Sequence, residues 1–285
     1  MSRNVLQSVV STIHTPMVKA VRHIRRMRGG TQAHLLQCSD SHSYVVKFRN
    51  NPQHLRVLAN EMLASVLAEC VGLPVPTRAI VEVGKELIQN TPALSIELDH
   101  LIIPCESGAH FGARYVVSPL EGQVFDHFAT AMLGHLRNPE TFAGILVMDK
   151  WTCNTDRRQA TFWRRSREKK YNVTFIDQGC CFNTGDWTFP DSALRGVYAE
   201  NEVYANVRSW DSFEPWLSRI ECMPASRVWS TAATIPPEWY GGEWGALEEL
   251  VVSLLARREK IRDLIISFGM SRQQPFPNWG IFKAA

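Results

Sequence analysis

The chain has 285 residues, of which 45% are hydrophobic and 21% charged, a composition typical of a folded globular protein rather than a disordered one. Its formal net charge of +3 is small for this length and argues against a nucleic-acid partner. No stretch approaches the roughly 18 apolar residues of a membrane span and no secretory leader is visible, so we expect no membrane association and a cytoplasmic location.

The cysteines and the chain length set two further expectations. Seven cysteines are scattered without a C-x-x-C pair or a zinc-like spacing to histidine, which predicts reduced thiols. A chain of this length forms two compact lobes around a cleft more easily than one continuous core.

Residues 17–48 alternate between β-rich runs and turn residues. Runs at 17–24, 33–38 and 44–48 read as three strands, with Gly29-Gly30 in the first turn and residues 40–43 in the second. The pattern predicts an antiparallel meander.

Residues 55–73 change to a helical period. Pro52 stands near the predicted start and Gly72 just past the end, as is usual for helix termini. One apolar face is predicted for this helix, formed by Leu55, Leu58, Ala59, Met62, Val66, Leu67 and Cys70.

Later segments divide the chain into a β-rich part and a helical part. Strands are predicted at 74–83, 85–89 and 111–119, the last closed by Pro119, and amphipathic helices at 123–136 and 139–153. Two short strands at 160–165 and 171–177 interrupt a helical remainder that runs to the carboxyl terminus. We therefore predict an α+β fold with a β-rich first domain, 1–118, and a mostly helical second domain, 119–285.

Several polar residues fit the needs of phosphoryl transfer from ATP. Gly29 and Gly30, followed by Thr31 and Gln32, could present backbone N–H groups to phosphate oxygens, although a Gly-Gly turn is more often only a turn. Lys47 interrupts the apolar strand 44–48, which on its own would suggest a solvated edge.

Three carboxylates complete the series in chain order. Glu61 lies in the helix after Lys47, where it could hold the ammonium or simply be solvated. Asp156 follows the apolar helix 139–153, in a polar segment with Asp149 and Asn154 that could equally cap the helix end. Asp177 and Gly179 follow the strand 171–177, a pattern that is also a common turn signal.

These segments together resemble the HipA-like kinase family. Residues 45–76 resemble its lysine strand and following helix, including the Asn60-Glu61 pair, and residues 110–116 resemble the segment that leads to its hinge. NTDRR at 154–158 and FIDQG at 175–179 resemble its catalytic and metal-binding loops. The likeness covers roughly residues 17–180 and implies a bilobal protein-kinase-like fold, with phosphorylation of Ser or Thr in proteins as the activity of the family's studied members.

The resemblance also implies roles for single residues. Lys47 would bind the α- and β-phosphates of ATP, Glu61 would fix Lys47, Asp156 would be the catalytic carboxylate and Asp177 would bind Mg²⁺. Two positions depart from the family pattern: Thr161 stands where a second metal ligand, Asn, is usual, and Arg158 where His is expected. The amide oxygen of Gln159 could replace the missing ligand.

Three hypotheses follow, in this order. The first is an ATP- and Mg²⁺-dependent kinase that acts on a protein substrate of unknown identity. The second is a pseudokinase, a nucleotide-binding scaffold without transfer activity, because of Thr161. The third is a nucleic-acid-binding regulator that uses the basic runs at 23–30 and 162–170, which read better as solvated turns. A regulatory partner, a toxin–antitoxin role and the oligomeric state stay open.

Overall fold

Strands dominate the first part of the computed structural model, which describes residues 15–118 and 120–282. The elements of this part are β1 (Met17–Arg26), β2 (His34–Cys38), β3 (Ser43–Lys47), α1 (Val57–Cys70), β4 (Arg78–Val83), α2 (Lys85–Gln89), β5 (Ser95–Leu98), β6 (Leu101–Pro104) and β7 (Gly108–Arg114).

Helices dominate the second part, with one small sheet among them. Its elements are β8 (Gly122–Phe125), α3 (Thr141–Thr152), β9 (Gln159–Arg165), β10 (Asn172–Ile176), α4 (Trp216–Glu221), α5 (Ala225–Ala232), α6 (Trp244–Ala256) and α7 (Ile261–Gly269). Short 3₁₀ helices lie at Thr130–His135, Asn201–Tyr204, Trp210–Phe213, Pro237–Trp239, Arg257–Lys260 and Gly280–Phe282. The predicted α+β class is confirmed by this content.

Five strands close into a barrel in the order β1-β2-β3-β7-β4. The predicted antiparallel meander holds for β1, β2 and β3, whereas the closing pair β1 and β4 is parallel, with Met17 opposite Ile80. Closure removes exposed strand edges and lets alternate side chains fill the interior, among them Leu36, Val46 and Val81.

Helix α1 is buried on all sides rather than along one face. Residues 57–68 are all buried, including Asn60 and Glu61, whereas Leu55 precedes the helix and is 55% exposed. Gly72 ends the helix as predicted, with a φ of +83° that favours glycine. The predicted apolar face was thus too narrow, because the helix packs against several elements at once.

Two segments adopt structures other than the predicted ones. Residues 85–89 form α2 and not a strand, since Lys, Glu, Leu and Gln all favour a helix. The segment 123–136 was predicted to be a helix, but its first residues belong to strand β8 and its last turn is the 3₁₀ helix Thr130–His135. Pairing of β8 with β9 overrides the helical period there.

The two predicted strands of the helical part form the hairpin β9–β10, to which β8 adds a third strand. The register places Gln159 opposite Ile176 and Thr161 opposite Thr174. The start of β9 and the end of β10 therefore lie side by side, and this brings the segments around Asp156 and Asp177 together.

Two hydrophobic cores hold the molecule together. The smaller fills the barrel, and the larger joins α1 to α3, α6, α7 and the β8–β10 sheet. Helix α3 lies at the centre of the larger core, with every residue from Thr141 to Thr152 buried. The predicted division into 1–118 and 119–285 stays a prediction, and Pro119, at its boundary, lies outside the described residues.

Among residues 15–118 and 120–282, every helix is too short or too polar to span a membrane.

Candidate active site

The end of strand β3 brings a buried lysine to two carboxylates. Lys47 follows Val46, which points into the barrel, so its own side chain turns toward α1 and the loop after β10. Its Nζ donates hydrogen bonds to Glu61 Oε1 and, at 2.6 Å, to Asp177 Oδ1. Three residues that are far apart in sequence thus form one charged cluster.

The electrostatics of this cluster favour the ionised forms of Lys47 and Asp177. Burial alone would lower the pKa of Lys47, yet the carboxylates of Asp177 and Glu61 raise that pKa above its ordinary value. Burial raises the pKa of Glu61, opposed by the Lys47 ammonium. Burial acts against ionised Asp177 as well, but Lys47 and Arg158 outweigh it and lower the pKa of Asp177. The side chain of Asp177 keeps 27% exposure, so a ligand can approach it.

Backbone strain and a buried arginine fix the position of Asp177. The residue follows β10 with a φ of +61°, a left-handed conformation that is uncommon outside glycine. Arg158 Nη1 donates to the carbonyl oxygens of Ile176 at 2.9 Å and Asp177 at 3.2 Å. The same guanidinium is paired with Asp149 on α3, and both side chains are fully buried. Helix α3 therefore holds the loop that carries Asp177.

Asn60, the neighbour of Glu61, fastens the rest of that loop to α1. Its Nδ2 lies 2.7–2.9 Å from the carbonyl oxygens of Gly179, Cys181 and Thr184. Its Oδ1 accepts a hydrogen bond of 2.8 Å from Trp187 Nε1. Because Asn60 is completely buried, this network fixes the conformation of residues 179–187 against the helix that carries Glu61.

Asp156 lies in a second, solvent-exposed group after α3. The helix ends at Cys153 in a left-handed conformation, and Asn154 links the segment to Asp149 through a bond of 3.1 Å. The Asp156 N–H donates to Asn154 Oδ1 at 3.3 Å, and Asp156 Oδ1 accepts from the Arg157 N–H at 2.8 Å. The carboxylate is thus oriented by its own loop and remains open to solvent.

Gln159 and Thr161 lie on β9, next to this group. Gln159 Nε2 lies 3.4 Å from Asp156 Oδ2, so the amide nitrogen, and not the predicted oxygen ligand, faces that carboxylate. Thr161 is buried, and its Oγ1 has no hydrogen-bond partner in the described residues.

The donors present fit a magnesium ion that keeps water and phosphate ligands. Within residues 15–118 and 120–282 no three His, Cys, Asp or Glu side chains converge to hold a metal. Asp177 supplies one partly exposed carboxylate. Gln159 lies close to it, because Gln159 pairs with Ile176, the residue before Asp177. Mg²⁺ commonly binds through one or two protein oxygens together with substrate phosphates.

The predicted phosphate turn lies between β1 and β2. Gly29 has a φ of +120°, a backbone conformation that residues with a Cβ rarely adopt, and the space where a Cβ would lie is open. Thr31 is buried, and the Gln32 side chain binds the backbone of Glu97 at 2.7 and 2.8 Å. Gln32 thus anchors the β5–β6 hairpin, and in the described part of the chain no hydrogen bond joins this turn to Lys47.

Sequence reasoning assigned no role to three residues that position the site. Asn60 appeared only as part of the family resemblance, Asp149 only as part of a polar helix end, and Arg158 only as a departure from the pattern. The available signal was the presence of Asn, Asp and Arg beside strongly apolar runs, because such groups are buried only with partners.

Comparison with known proteins identifies the family. The model of the HipA-like kinase family matches residues 20–254. A search of the curated proteins finds no match to the sequence.

Solved structures show the same fold at low sequence identity. The proinflammatory kinase CtkA of Helicobacter pylori has 14% identity and a TM-score of 0.57, with 91% of this chain and 100% of that one covered. Hydra Fam20 with sugar has 12% identity and a TM-score of 0.54, with coverage of 92% and 88%. The Golgi casein kinase with Mn and ADP bound has 12% identity and a TM-score of 0.50, with coverage of 91% and 74%. These likenesses show a kinase-like fold alone.

Proposed function

The chain belongs to the HipA-like kinase family, and from this premise we propose that it is an ATP- and Mg²⁺-dependent phosphotransferase that acts on a Ser or Thr hydroxyl of a protein. The observation that carries the proposal is the hydrogen bonding of Lys47 to both Glu61 and Asp177. Phosphoryl transfer needs a fixed cation beside a carboxylate that can bind metal, and the cluster joins the two.

Each residue of the cluster has a distinct task in this proposal. Lys47 binds the α- and β-phosphates of ATP as a compact positive charge, and Glu61 keeps the ammonium in place. Asp177, with the Gln159 amide oxygen after rotation of that side chain, would hold the metal ion. When bound, Mg²⁺ neutralises the charge that develops on the phosphate oxygens. The Golgi casein kinase with Mn and ADP bound offers a precedent within the fold.

Asp156 has the properties of the residue that orients the acceptor. It is exposed, its carboxylate is held by the Arg157 N–H at 2.8 Å, and its loop is tied to α3. A carboxylate in this situation can accept a hydrogen bond from the substrate hydroxyl and take up its proton as the phosphoryl group transfers. The Gly29-Gly30 turn would contribute backbone N–H groups to the phosphates.

A scaffold that binds nucleotide without transfer is the second candidate. It is favoured by one observation: Thr161 is buried in β9, where the family usually has a second metal ligand. The cytoplasmic location and a regulatory partner stay predictions under both candidates.

Incubation of the purified protein with γ-labelled ATP and Mg²⁺ or Mn²⁺ tests the proposal. We expect autophosphorylation or transfer to general protein substrates, and a loss of at least about 100-fold in Lys47→Met and Asp156→Asn. Lys85→Met and Asp126→Asn replace exposed residues of the same types elsewhere and should keep the wild-type rate.

A thermal-shift titration separates the two candidates. Stabilisation by ATP that requires Mg²⁺, and that Asp177→Asn abolishes, supports the kinase when label is also transferred. Stabilisation without any transfer, across substrates and both metals, supports the scaffold and contradicts the kinase.

A further inference from the structure

A cavity of about 260 Å³ lies beside Asp156, and Lys47, Glu61 and Asp177 are not among the residues that line it. Its walls are two segments of chain, residues 155–157 after α3 and residues 194–199, with Gln273 at one end. A cavity that shares a wall with the residue proposed to orient the acceptor can receive the chain that carries the acceptor.

The second wall is fastened to the catalytic segment by buried groups. Lys150, only 1% exposed, donates to the carbonyl oxygens of Ala193 at 2.8 Å and Arg195 at 2.6 Å. The Arg158 N–H donates to Val197 O at 3.0 Å. Gly196 has a φ of +65°, and a Cβ there would lie 2.9 Å from Asn154 O. The cavity is therefore a fixed feature of the fold and keeps its position relative to Asp156.

Two arginines give this cavity a positive character. Arg157 and Arg195 both line it and both are exposed, and Arg157 forms no ion pair or side-chain hydrogen bond in the described part of the chain. Within residues 15–118 and 120–282, Arg195 donates a side-chain hydrogen bond only to the amide oxygen of Asn183, from Nη1 at 3.2 Å. Asp191, which precedes Arg195 on the same segment, forms its ion pair with Arg257, at 3.2 Å. Among the described residues that line the cavity, Asp156 is the one carboxylate.

We propose that this cavity binds the acceptor protein next to its phosphorylated hydroxyl, and that Arg157 and Arg195 select substrates with an acidic side chain close to that Ser or Thr. The inference rests on the proposed function, because it assigns a substrate class to the same site. Guanidinium groups bind carboxylates in a forked geometry, and a short distance from Asp156 requires the acidic residue within about three positions of the acceptor in an extended peptide.

The test compares matched peptides that contain one Ser and differ only in the flanking residues, which are Asp or Glu, Ala, or Lys. For the wild-type protein with ATP and Mg²⁺ we expect kcat/KM to be about 5- to 30-fold higher for acidic than for neutral peptides. The double variant Arg157→Glu with Arg195→Glu should reverse this ratio and prefer the Lys peptides. Arg167→Glu, in the exposed turn between β9 and β10, is the matched control and should keep the wild-type ratio.

Folding of each variant is checked by its unfolding midpoint and by its stabilisation with ATP and Mg²⁺. If the double variant does not fold, Arg157→Gln with Arg195→Gln replaces it, and the acidic preference should then fall to about one. Any one of three results overturns the inference. The wild type could phosphorylate acidic and neutral peptides at equal rates, the double variant could keep the wild-type ratio, or Arg167→Glu could change the ratio as the double variant does. Absence of transfer to every peptide and of autophosphorylation overturns the proposed function itself, and the inference with it.

Discussion

Arg158 and Asp149 form an ion pair in which neither side chain has any solvent exposure. The guanidinium binds both carboxylate oxygens of Asp149 and, through its remaining amino group, two carbonyl oxygens at the end of β10. A buried charge pair contributes to a fold only when further hydrogen bonds satisfy its polar atoms, as they do here. The pair therefore connects the central helix of the large core to the loop that carries Asp177.

Replacing only one partner of this ion pair should lower the free energy of unfolding much more than the loss of the pair as a whole would suggest. We expect Arg158→Met to lower the free energy of unfolding by about 3–5 kcal/mol, because it leaves the Asp149 carboxylate buried and unpaired. The double variant Arg158→Met with Asp149→Leu should lose clearly less than the sum of the two single variants. Urea unfolding gives these values, and additive losses would show that the two side chains do not interact.

An exposed pair provides the matched control. Arg262 and Glu221 lie 2.8 Å apart, with side chains 44% and 32% exposed. Arg262→Met should therefore change the free energy of unfolding by less than about 1 kcal/mol.

Asn60→Asp should release the loop that follows Asp177. The change keeps the shape of the side chain but places a carboxylate oxygen where three carbonyl oxygens now share the two hydrogens of the amide nitrogen. We expect a loss of about 2–4 kcal/mol in stability and faster hydrogen exchange of the amides at 179–187. Hydrogen exchange with mass spectrometry measures the second effect.

The exposed Asn90, which ends α2, is the control for that substitution. Asn90→Asp should leave exchange at 179–187 unchanged. Slow exchange retained in Asn60→Asp would contradict the role assigned to the Asn60 network.

His110 should make the protein sensitive to mild acid. Burial lowers the pKa of His110 to about 3, and its ring is satisfied in the neutral form, with Nδ1 accepting from the Arg49 N–H and Nε2 bound to Glu106 O. Between about pH 6.5 and pH 3 the unfolded chain carries a proton that the folded protein excludes. Stability should therefore fall with falling pH, by about 1.4 kcal/mol per pH unit from this residue.

Denaturant unfolding at several pH values measures this slope. His110→Gln, which can reproduce both hydrogen bonds without titrating, should reduce it. Part of the slope should persist, because burial also lowers the pKa of His34 to about 4. A slope identical to that of the wild type would mean that His110 is not excluded from protonation in the folded state.

Two helical glycines should respond in opposite directions to the same substitution. A Cβ at Gly144 on α3 would lie 2.3 Å from the buried ring of Trp216, whereas one at Gly245 on α6 would meet nothing within 4 Å. Gly144→Ala should cost about 1–3 kcal/mol through overpacking, and Gly245→Ala should add about 0.5 kcal/mol through helix propensity. Thermal unfolding midpoints measure both, and a stabilised Gly144→Ala would contradict the close packing of α3 against α4.

Local sequence patterns predicted those elements whose packing in the fold agrees with the structure that the local sequence favours. The strands around Gly29-Gly30, the helix that ends at Gly72 and the β9–β10 hairpin all follow from period and turn residues. The β5–β6 hairpin was not predicted, since its turn, Asp99-His100, lacks the usual glycine. The family resemblance, predicted over residues 17–180, is confirmed by a match that extends to 254.

The site itself was only partly visible from the sequence. The order of Lys47 and Glu61 on a strand and the next helix suggested their contact, which the structure places in a hydrogen bond. The carbonyl oxygens that Asn60 and Arg158 bind lie beyond at least one further element in the sequence, and periodicity carries no information on such contacts. Asp149 lies close to Arg158 in the sequence, on α3, but its position at a polar helix end did not indicate a buried ion pair. Whether Gln159 binds a metal stays a prediction, because the side chain must turn to present its oxygen.

The burial of residues 57–68 of α1 has a mechanical consequence. A helix enclosed by the large core has no space in which to swing, so the Glu61 carboxylate is a stationary reference point. Lys47, in contrast, comes from a barrel with a core of its own. We therefore expect the distance between the two charges to change through movement of the barrel, and an activator or inhibitor of this protein to act on the barrel rather than on the helix.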